Sequence, residues 1–82
     1  MKFEMAEYYP YGEFDDGREI IYSTVYVNKK KLLRLFRQLG WGSLKDWLDD
    51  YTLEDGDCLL SEMAARNIPY KQVETGREYR ED

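Results

Sequence analysis

The sequence predicts an α+β domain in which a small antiparallel sheet packs against two or three helices. Residues 2–27 contain two strand-like segments separated by turn residues, and these predict a long N-terminal hairpin. Residues 29–66 carry three apolar stripes at helical spacing. A short strand-like segment follows Pro69, which predicts a C-terminal strand and the element order ββαααβ.

The first strand is predicted over residues 2–9, where apolar and charged side chains alternate at first. The alternation fails from Ala6 onward, so we expect a bulge or the end of the strand there. Residues 10–18 are predicted to form a loop of about nine residues, because proline, glycine and the pair Asp15 and Asp16 favour turns.

The second strand is predicted over residues 19–27, which are nearly all β-branched or aromatic. Successive side chains of a strand point to opposite faces of the sheet. One face therefore carries Ile21, Ser23, Val25 and Val27, and the other carries Ile20, Tyr22, Thr24 and Tyr26.

The first helix is predicted over residues 29–39. Asn28 is its expected N-cap, and Gly40 is expected to end it in the left-handed conformation. Leu35 is expected to lie partly outside the buried stripe. That stripe consists of Leu32, Leu33, Phe36 and Leu39.

Two further helices are predicted after a break. Ser43 caps the first, whose apolar stripe consists of Leu44, Trp47, Leu48 and Tyr51. Thr52 or Asp57 caps the second, which is expected to run to about Arg66 before the stop signal Asn-Ile-Pro at 67–69. Its inward side chains are expected to be Leu59, Leu60, Met63 and Ala64.

The C-terminal strand is predicted over residues 70–74. From Gly76 onward the chain is a charged terminal segment, which we expect to fray. The sequence therefore predicts a single compact domain over residues 1–76 and a frayed charged tail over residues 77–82.

Composition restricts the chemistry. The chain has 82 residues, a net charge of −5, one cysteine and no histidine. Without histidine there are no Ser–His or Cys–His catalytic pairs and no His-containing zinc sites, and one cysteine allows neither a thiolate metal site nor an internal disulfide. A calcium loop with Gly56 at its sixth position would place Tyr51 and Leu53 at ligand positions. We expect no enzyme, cofactor or metal site, and we expect Cys58 to be a small buried side chain.

Charge is arranged in blocks along the chain. Residues 1–19 hold six acids and two bases (−4), residues 28–45 hold six bases and no acid (+6), and residues 46–62 hold seven acids and no base (−7). Such segregation is typical of surface patches that act at a distance. The alternative is that the basic and acidic helices face each other.

The acidic block is the first candidate binding site. Its carboxylates lie along two predicted helices and present negative charge as DNA phosphates do. Aromatic side chains beside charges anchor many binding surfaces, so three tyrosines near the acidic N-terminal loop join the candidate site. The alternatives are a solubilising face for the acids and hairpin packing for the tyrosines. The site residues are Asp46, Asp49, Asp50, Glu54, Asp55 and Asp57, with Tyr8, Tyr9 and Tyr11.

The basic block is the second candidate. Lysines in the first turn of a helix oppose the helix dipole, which suggests a bound anion or an acidic neighbour. Tyr22 and Tyr26 would add base stacking if their sheet face lay open beside this helix. The alternatives are a solvated face or pairing with the acidic block. The candidate anion-binding residues are Lys29, Lys30, Lys31, Arg34 and Arg37.

Residues 44–52, with the sequence Leu-Lys-Asp-Trp-Leu-Asp-Asp-Tyr-Thr, are followed by Asp55, Leu59 and Ala64. This pattern resembles a segment of small proteins from Gram-positive phages and conjugative elements. The short, acidic, histidine-free and tyrosine-rich chain is also similar to phage-borne inhibitors of host defence, such as anti-CRISPR and DNA-mimic anti-restriction proteins. The resemblance implies an origin in a phage or mobile element and names no catalytic residue.

Together these features predict a non-enzymatic inhibitor that binds the nucleic-acid-binding surface of a larger basic host protein, a CRISPR effector or restriction nuclease. One alternative is a nucleic-acid-binding accessory protein that uses the basic helix. Another is a homodimer in which the basic helix of one copy meets the acidic segment of the other. The sequence shows no membrane span and no secretory signal, so we expect a cytoplasmic protein of the bacterial host cell.

Overall fold

The computed structural model describes residues 1–14 and 16–81. Asp15 of the predicted turn and Asp82 of the predicted tail lie outside the described residues. Within this part of the chain, three antiparallel strands and three helices follow the order ββαααβ, and the predicted α+β class is confirmed. The elements are β1 (Lys2–Tyr11), β2 (Gly17–Val27), α1 (Lys29–Leu39), α2 (Leu44–Asp50), α3 (Leu53–Ala65) and β3 (Tyr70–Glu81).

β1 is longer than predicted and pairs with the central strand β2 without a bulge, from Lys2–Tyr26 to Tyr11–Gly17. The expected bulge after Ala6 is therefore wrong, and the connection is shorter than the expected nine residues. Pro10 does not end the strand, and the pairing explains why. Met1 and Val27 exchange two backbone hydrogen bonds of 2.9 Å, so the N–H and C=O groups of odd-numbered residues of β1 point toward β2. The backbone nitrogen of Pro10, an even-numbered residue, therefore points away from the sheet, where no N–H is needed.

β3 pairs with β2 along the whole length of β2, from Val27–Tyr70 to Gly17–Glu81. Residues 77–81, for which the sequence predicts a frayed tail, are therefore strand. Thr75 has no partner on β2 and forms a bulge between the paired residues Glu74 and Gly76. Cross-strand contacts extend the strand beyond the bulge, since Arg77 lies 2.8 Å from Glu19.

The helices cover one face of the sheet, and two helix faces differ from the prediction. Leu35 is buried in α1, whereas Leu33 is 37% exposed, because the positions at i, i+3 and i+4 after Leu32 form the inner stripe. In α3, Gly56 is buried and Ala64 is exposed for the same geometric reason. The core consists of Phe3, Met5, Val25, Val27, Leu32, Leu35, Phe36, Leu44, Leu59, Leu60 and Met63.

Local signals set the ends of the helices. Asn28 accepts the N–H of Lys31 at 3.2 Å, and Gly40 adopts the left-handed conformation with φ 68°, so both predicted ends of α1 are confirmed. Thr52, rather than Asp57, is the N-cap of α3. At the other end of α3, Asn67 has φ 56°, and the following N–H of Ile68 reaches back to the last helical turn.

α3 begins in close contact with the outer edge of β1. A Cβ atom on Gly56 would lie 2.3 Å from the carbonyl oxygen of Glu4 and 3.0 Å from Cβ of Met5. The hydroxyl of Tyr51 accepts the outward-facing N–H of Glu4 at 2.8 Å. These contacts fix the helices over the half of the sheet that begins at Lys2. The strands continue beyond them, and the domain measures 42 × 22 × 21 Å.

Gly56→Ala is expected to destabilise the fold, even though alanine favours a helix over glycine by about 1 kcal/mol. The added methyl group would overlap the carbonyl of Glu4, so α3 would move off β1 at a cost of roughly 1–3 kcal/mol. Gly76→Ala is the control, because its Cβ position has no atom within 4 Å. Urea unfolding compares the two variants, and equal stability would contradict the close contact.

Candidate functional site

The acidic surface, defined as Asp46, Asp49, Asp50, Glu54, Asp55 and Asp57, lies on α2 and the start of α3. The three aspartates of α2 are exposed at positions i, i+3 and i+4, so they share one side of the helix. Glu54 and Asp55 are exposed in the first turn of α3, where negative charge is favourable to the helix dipole.

Asp55 also stabilises the helix that carries it. Its carboxylate accepts the N–H of Thr52 at 3.0 Å, and the hydroxyl of Thr52 accepts the N–H of Asp55 at 3.1 Å. This reciprocal pair is a capping box, and losing such a cap costs about 1 kcal/mol. Partner binding is therefore best tested at the other acids of the surface.

Asp57 connects the acidic surface to β1. It is half-buried, and burial, followed by the negative charge of Glu7, raises its pKa. Tyr9 donates its hydroxyl hydrogen bond to Glu7, and this bond, followed by the charge of Glu7, raises the pKa of Tyr9. The charge of Asp57 raises the pKa of Tyr9 further. Tyr9 and Asp57, two candidates far apart in sequence, thus lie in one cluster around Glu7.

The three candidate tyrosines do not share a face of the sheet. Tyr9 and Tyr11 have the same strand parity as Phe3, so they lie on the helix side, beyond the helices. Tyr8 lies on the opposite face. All three tyrosines are exposed, and the ring of Tyr11 lies 5.2 Å from that of Tyr79. The structure therefore joins Tyr9 to the acidic surface and separates Tyr8 from it.

The sheet face that carries the helices continues beyond them, and this uncovered part also includes Glu19, Arg77 and Tyr79. The sequence did not predict these three residues as part of a site. Glu19 accepts hydrogen bonds from Arg77 at 2.8 Å and, more weakly, from Tyr79 at 3.4 Å. Arg77 also contacts Glu74 at 2.9 Å, and these carboxylates raise its pKa. One sequence signal indicated that β2 has a strand on each side. It is apolar on both faces, which is typical of a central strand.

The basic face of α1 is exposed at all five candidate residues, Lys29, Lys30, Lys31, Arg34 and Arg37. Among residues 1–14 and 16–81, the ion pairs join Arg66 to Glu62, Arg77 to Glu19 and Glu74, and Arg80 to Glu78, and none links this face to the acidic surface. The two charged blocks therefore form no ion pair with each other within the described chain, although Asp49 lines the same groove between α1 and α2 as Lys29 and Arg37.

The expectation that Tyr22 and Tyr26 add base stacking beside α1 is wrong. Tyr22 and Tyr26 lie on the sheet face opposite the helices, because they alternate with the core residues Ser23 and Val25. What borders the basic face instead is a groove of about 580 Å³ between α1 and α2. Its lining includes Lys29, Leu33, Arg37, Lys45 and Leu48.

Cys58 is exposed, contrary to the expectation of a buried side chain. The buried positions of α3 follow i, i+3, i+4 and i+7 from Gly56, which leaves Cys58 on the outer side. It borders a cleft with Trp41 and Trp47. Trp47 stacks on Tyr51 at 4.4 Å and makes edge contacts with Phe3 and Phe36, so these aromatic side chains close the core.

No protein-family model, curated protein or solved structure matches the chain. None of the helices in the described ranges is long and apolar enough to cross a membrane. In the same ranges, no group of three or more acidic or thiol side chains is placed to hold a metal ion.

Glu7→Gln is expected to lower the pKa of both Tyr9 and Asp57, because the charge of Glu7 raises both. Burial continues to hold the pKa of Asp57 above its ordinary value. NMR pH titration of the tyrosine ring and of the aspartate carboxyl carbon measures the two shifts. Glu62→Gln, which removes the partner of Arg66, is the control. Unchanged pKa values in Glu7→Gln would contradict the cluster.

Asp57→Asn is expected to raise the free energy of unfolding at neutral pH and to change it little in acid. The folded pKa of Asp57 lies above its unfolded value of about 3.9, so its contribution to stability is present below that value and is lost as the pH rises through the folded pKa. Asparagine has no charge to desolvate. Urea unfolding at several pH values tests this, with exposed Asp49→Asn as control.

Proposed function

We propose that this protein is a non-enzymatic inhibitor that binds the nucleic-acid-binding surface of a larger basic protein. The first candidates for that partner are a bacterial CRISPR effector and a restriction nuclease. The observation that carries the proposal is that five of the six residues of the acidic surface are exposed, and that none pairs with the basic face of α1 in the described chain. Asp55 caps α3, so the carboxylates open to cations of another protein are those of Asp46, Asp49, Asp50 and Glu54.

The spacing of the carboxylates supports this choice of partner. Asp46, Asp49 and Asp50 are helical neighbours, with Cβ atoms about 5–6 Å apart. Grooves that bind nucleic acid carry lysine and arginine side chains to neutralise a row of phosphates, and a row of carboxylates can occupy the same cations. The net charge of −5 also steers the whole domain toward a positive channel.

Tyr9 is proposed to contribute binding affinity that charge alone does not provide. Electrostatic complementarity contributes more to association rate and specificity than to affinity, and exposed aromatic side chains often carry the affinity. Tyr9 is 45% exposed and is held by its hydrogen bond to Glu7, next to Asp57. A side chain that is already positioned loses less conformational entropy on binding. Tyr9 is therefore the proposed anchor at the β1 end of the acidic surface.

Direct binding of nucleic acid by α1 is the competing function. Its five bases are exposed, but Tyr22 and Tyr26 lie on the far side of the sheet and cannot stack on bases held at α1. Contact with phosphates alone gives weak binding that depends strongly on salt. The inhibitor function is favoured because the acidic surface combines charge with an aromatic anchor.

Reversing Asp46, Asp49 and Asp50 to lysine is expected to abolish binding and inhibition, because the new lysines would repel the lysine and arginine side chains of the partner. DNA cleavage by a set of purified CRISPR effectors and restriction nucleases, with binding measured at low and high salt, tests this. Wild-type affinity should fall steeply with salt. The control reverses Glu13, Asp16 and Glu81, three exposed acids at the other end of the sheet, and changes the net charge equally.

Inhibition that survives the reversal on α2, or that is lost equally in the control, would contradict the proposal. Retention of DNA or RNA by the free protein, abolished by Lys30→Glu with Arg34→Glu, would assign the function to α1 instead.

A further inference from the structure

The two outer edges of the sheet are protected to very different degrees. At the β1 edge, Tyr51 accepts the N–H of Glu4, Gly56 lies against the carbonyl of Glu4, and Pro10 provides no N–H. β3 is the end strand on the other side, packs chiefly against β2, and has no proline in its 12 residues. Unpaired strand edges are templates for pairing with another strand.

The pairing pattern shows which residues of β3 face outward. Odd-numbered residues of β2 exchange hydrogen bonds with β1, as Val27 does with Met1, so even-numbered residues of β2 bond to β3. The partners of those residues beyond the bulge are Gly76, Glu78 and Arg80. The backbone N–H and C=O groups of Arg77, Tyr79 and Glu81 therefore point away from the sheet.

We propose that this edge pairs antiparallel with the same edge of a second copy, about a two-fold axis at Tyr79. In this register Arg77 lies opposite Glu81 of the second copy, and Glu78 lies opposite Arg80. A shift of one residue along both strands places Glu78 opposite Glu78, or Arg80 opposite Arg80. Like charges directly opposite each other destabilise a strand pair, and opposite charges stabilise it.

The geometry of this pair suits the side chains. Tyr79 is 60% exposed on the helix side, so the two Tyr79 rings meet beside the axis. The Arg77–Glu81 pairs flank them on the same face, and the Glu78–Arg80 pairs lie on the opposite face. The product is a continuous six-stranded sheet with an isologous interface. This pairing does not depend on the proposed function, because it uses the outer edge of β3, whereas the acidic surface lies on α2 and on α3, which packs against β1.

The full chain is expected to show a concentration-dependent doubling of mass by sedimentation velocity between micromolar and millimolar protein. Tyr79→Pro is expected to remain monomeric, because it removes an outward-facing N–H and leaves the bonds to β2 intact, as Pro10 does in β1. Tyr79→Phe keeps that N–H and is the matched control, so it should still associate. A wild type that stays monomeric, or a Tyr79→Pro variant that associates as the wild type does, would overturn the proposal.

Crosslinking tests the register without the proline variant. In a Cys58→Ser background, Tyr79→Cys places two thiols across the axis, where Cα atoms of a hydrogen-bonded pair lie about 5.5 Å apart, within disulfide reach. Glu81→Cys is the matched control, because the two Cys positions would then be separated by about 13 Å along the strands. Mild oxidation should give a covalent dimer with Tyr79→Cys and none with Glu81→Cys. Equal crosslinking of both would overturn the register.

Discussion

The close contact between α3 and the outer edge of β1 is the constraint on which the rest of the structure depends. Gly56 allows the helix backbone to approach Glu4, and Tyr51 binds the N–H that this edge would otherwise leave unpaired. The helices are thereby held over one half of the sheet. The other half is stabilised by the strands themselves, through backbone pairing, the contact between the rings of Tyr11 and Tyr79, and ion pairs such as Arg77 with Glu19.

The start of α3 adds charge to the acidic surface at little cost to stability. Glu54 and Asp55 occupy the first turn of α3, where negative charge is favoured, and Asp55 completes the cap with Thr52. α1 has the opposite situation, since its first turn holds three lysines and no acid. Its stability comes from the Asn28 cap and from its buried leucines instead. The domain therefore presents both signs of charge on exposed helix faces, and the helix dipole favours the acids that begin α3 but opposes the lysines that begin α1.

Local features were predictable from the sequence, and long-range ones were not. The bounds of α1, its two caps and the stop after α3 follow from side chains within a few residues of each other, and all were predicted. The length of β3 depends on pairing with β2 from far along the chain, so a charged segment without core contacts looked like a frayed tail. Burial of Leu35 rather than Leu33 depends on where the neighbouring elements lie. The same is true of the position of Tyr9, but not Tyr8, on the side of the sheet that carries the helices.

The unpaired residue Thr75 decides which chemistry each face of the outer sheet displays. Before it, Gln72 and Glu74 lie on the helix side, and after it Arg77 and Tyr79 do. If Thr75 paired with Tyr22 instead of forming the bulge, the register would slip by one residue, and Glu78 and Arg80 would take that side. Deletion of Thr75 would remove the bulge and leave Arg77 and Tyr79 where they are, because every other pair with β2 is kept. The bulge therefore selects between two pairings of one unchanged sequence, one that displays a tyrosine-bearing surface and one that displays an ionic surface, while the core stays intact.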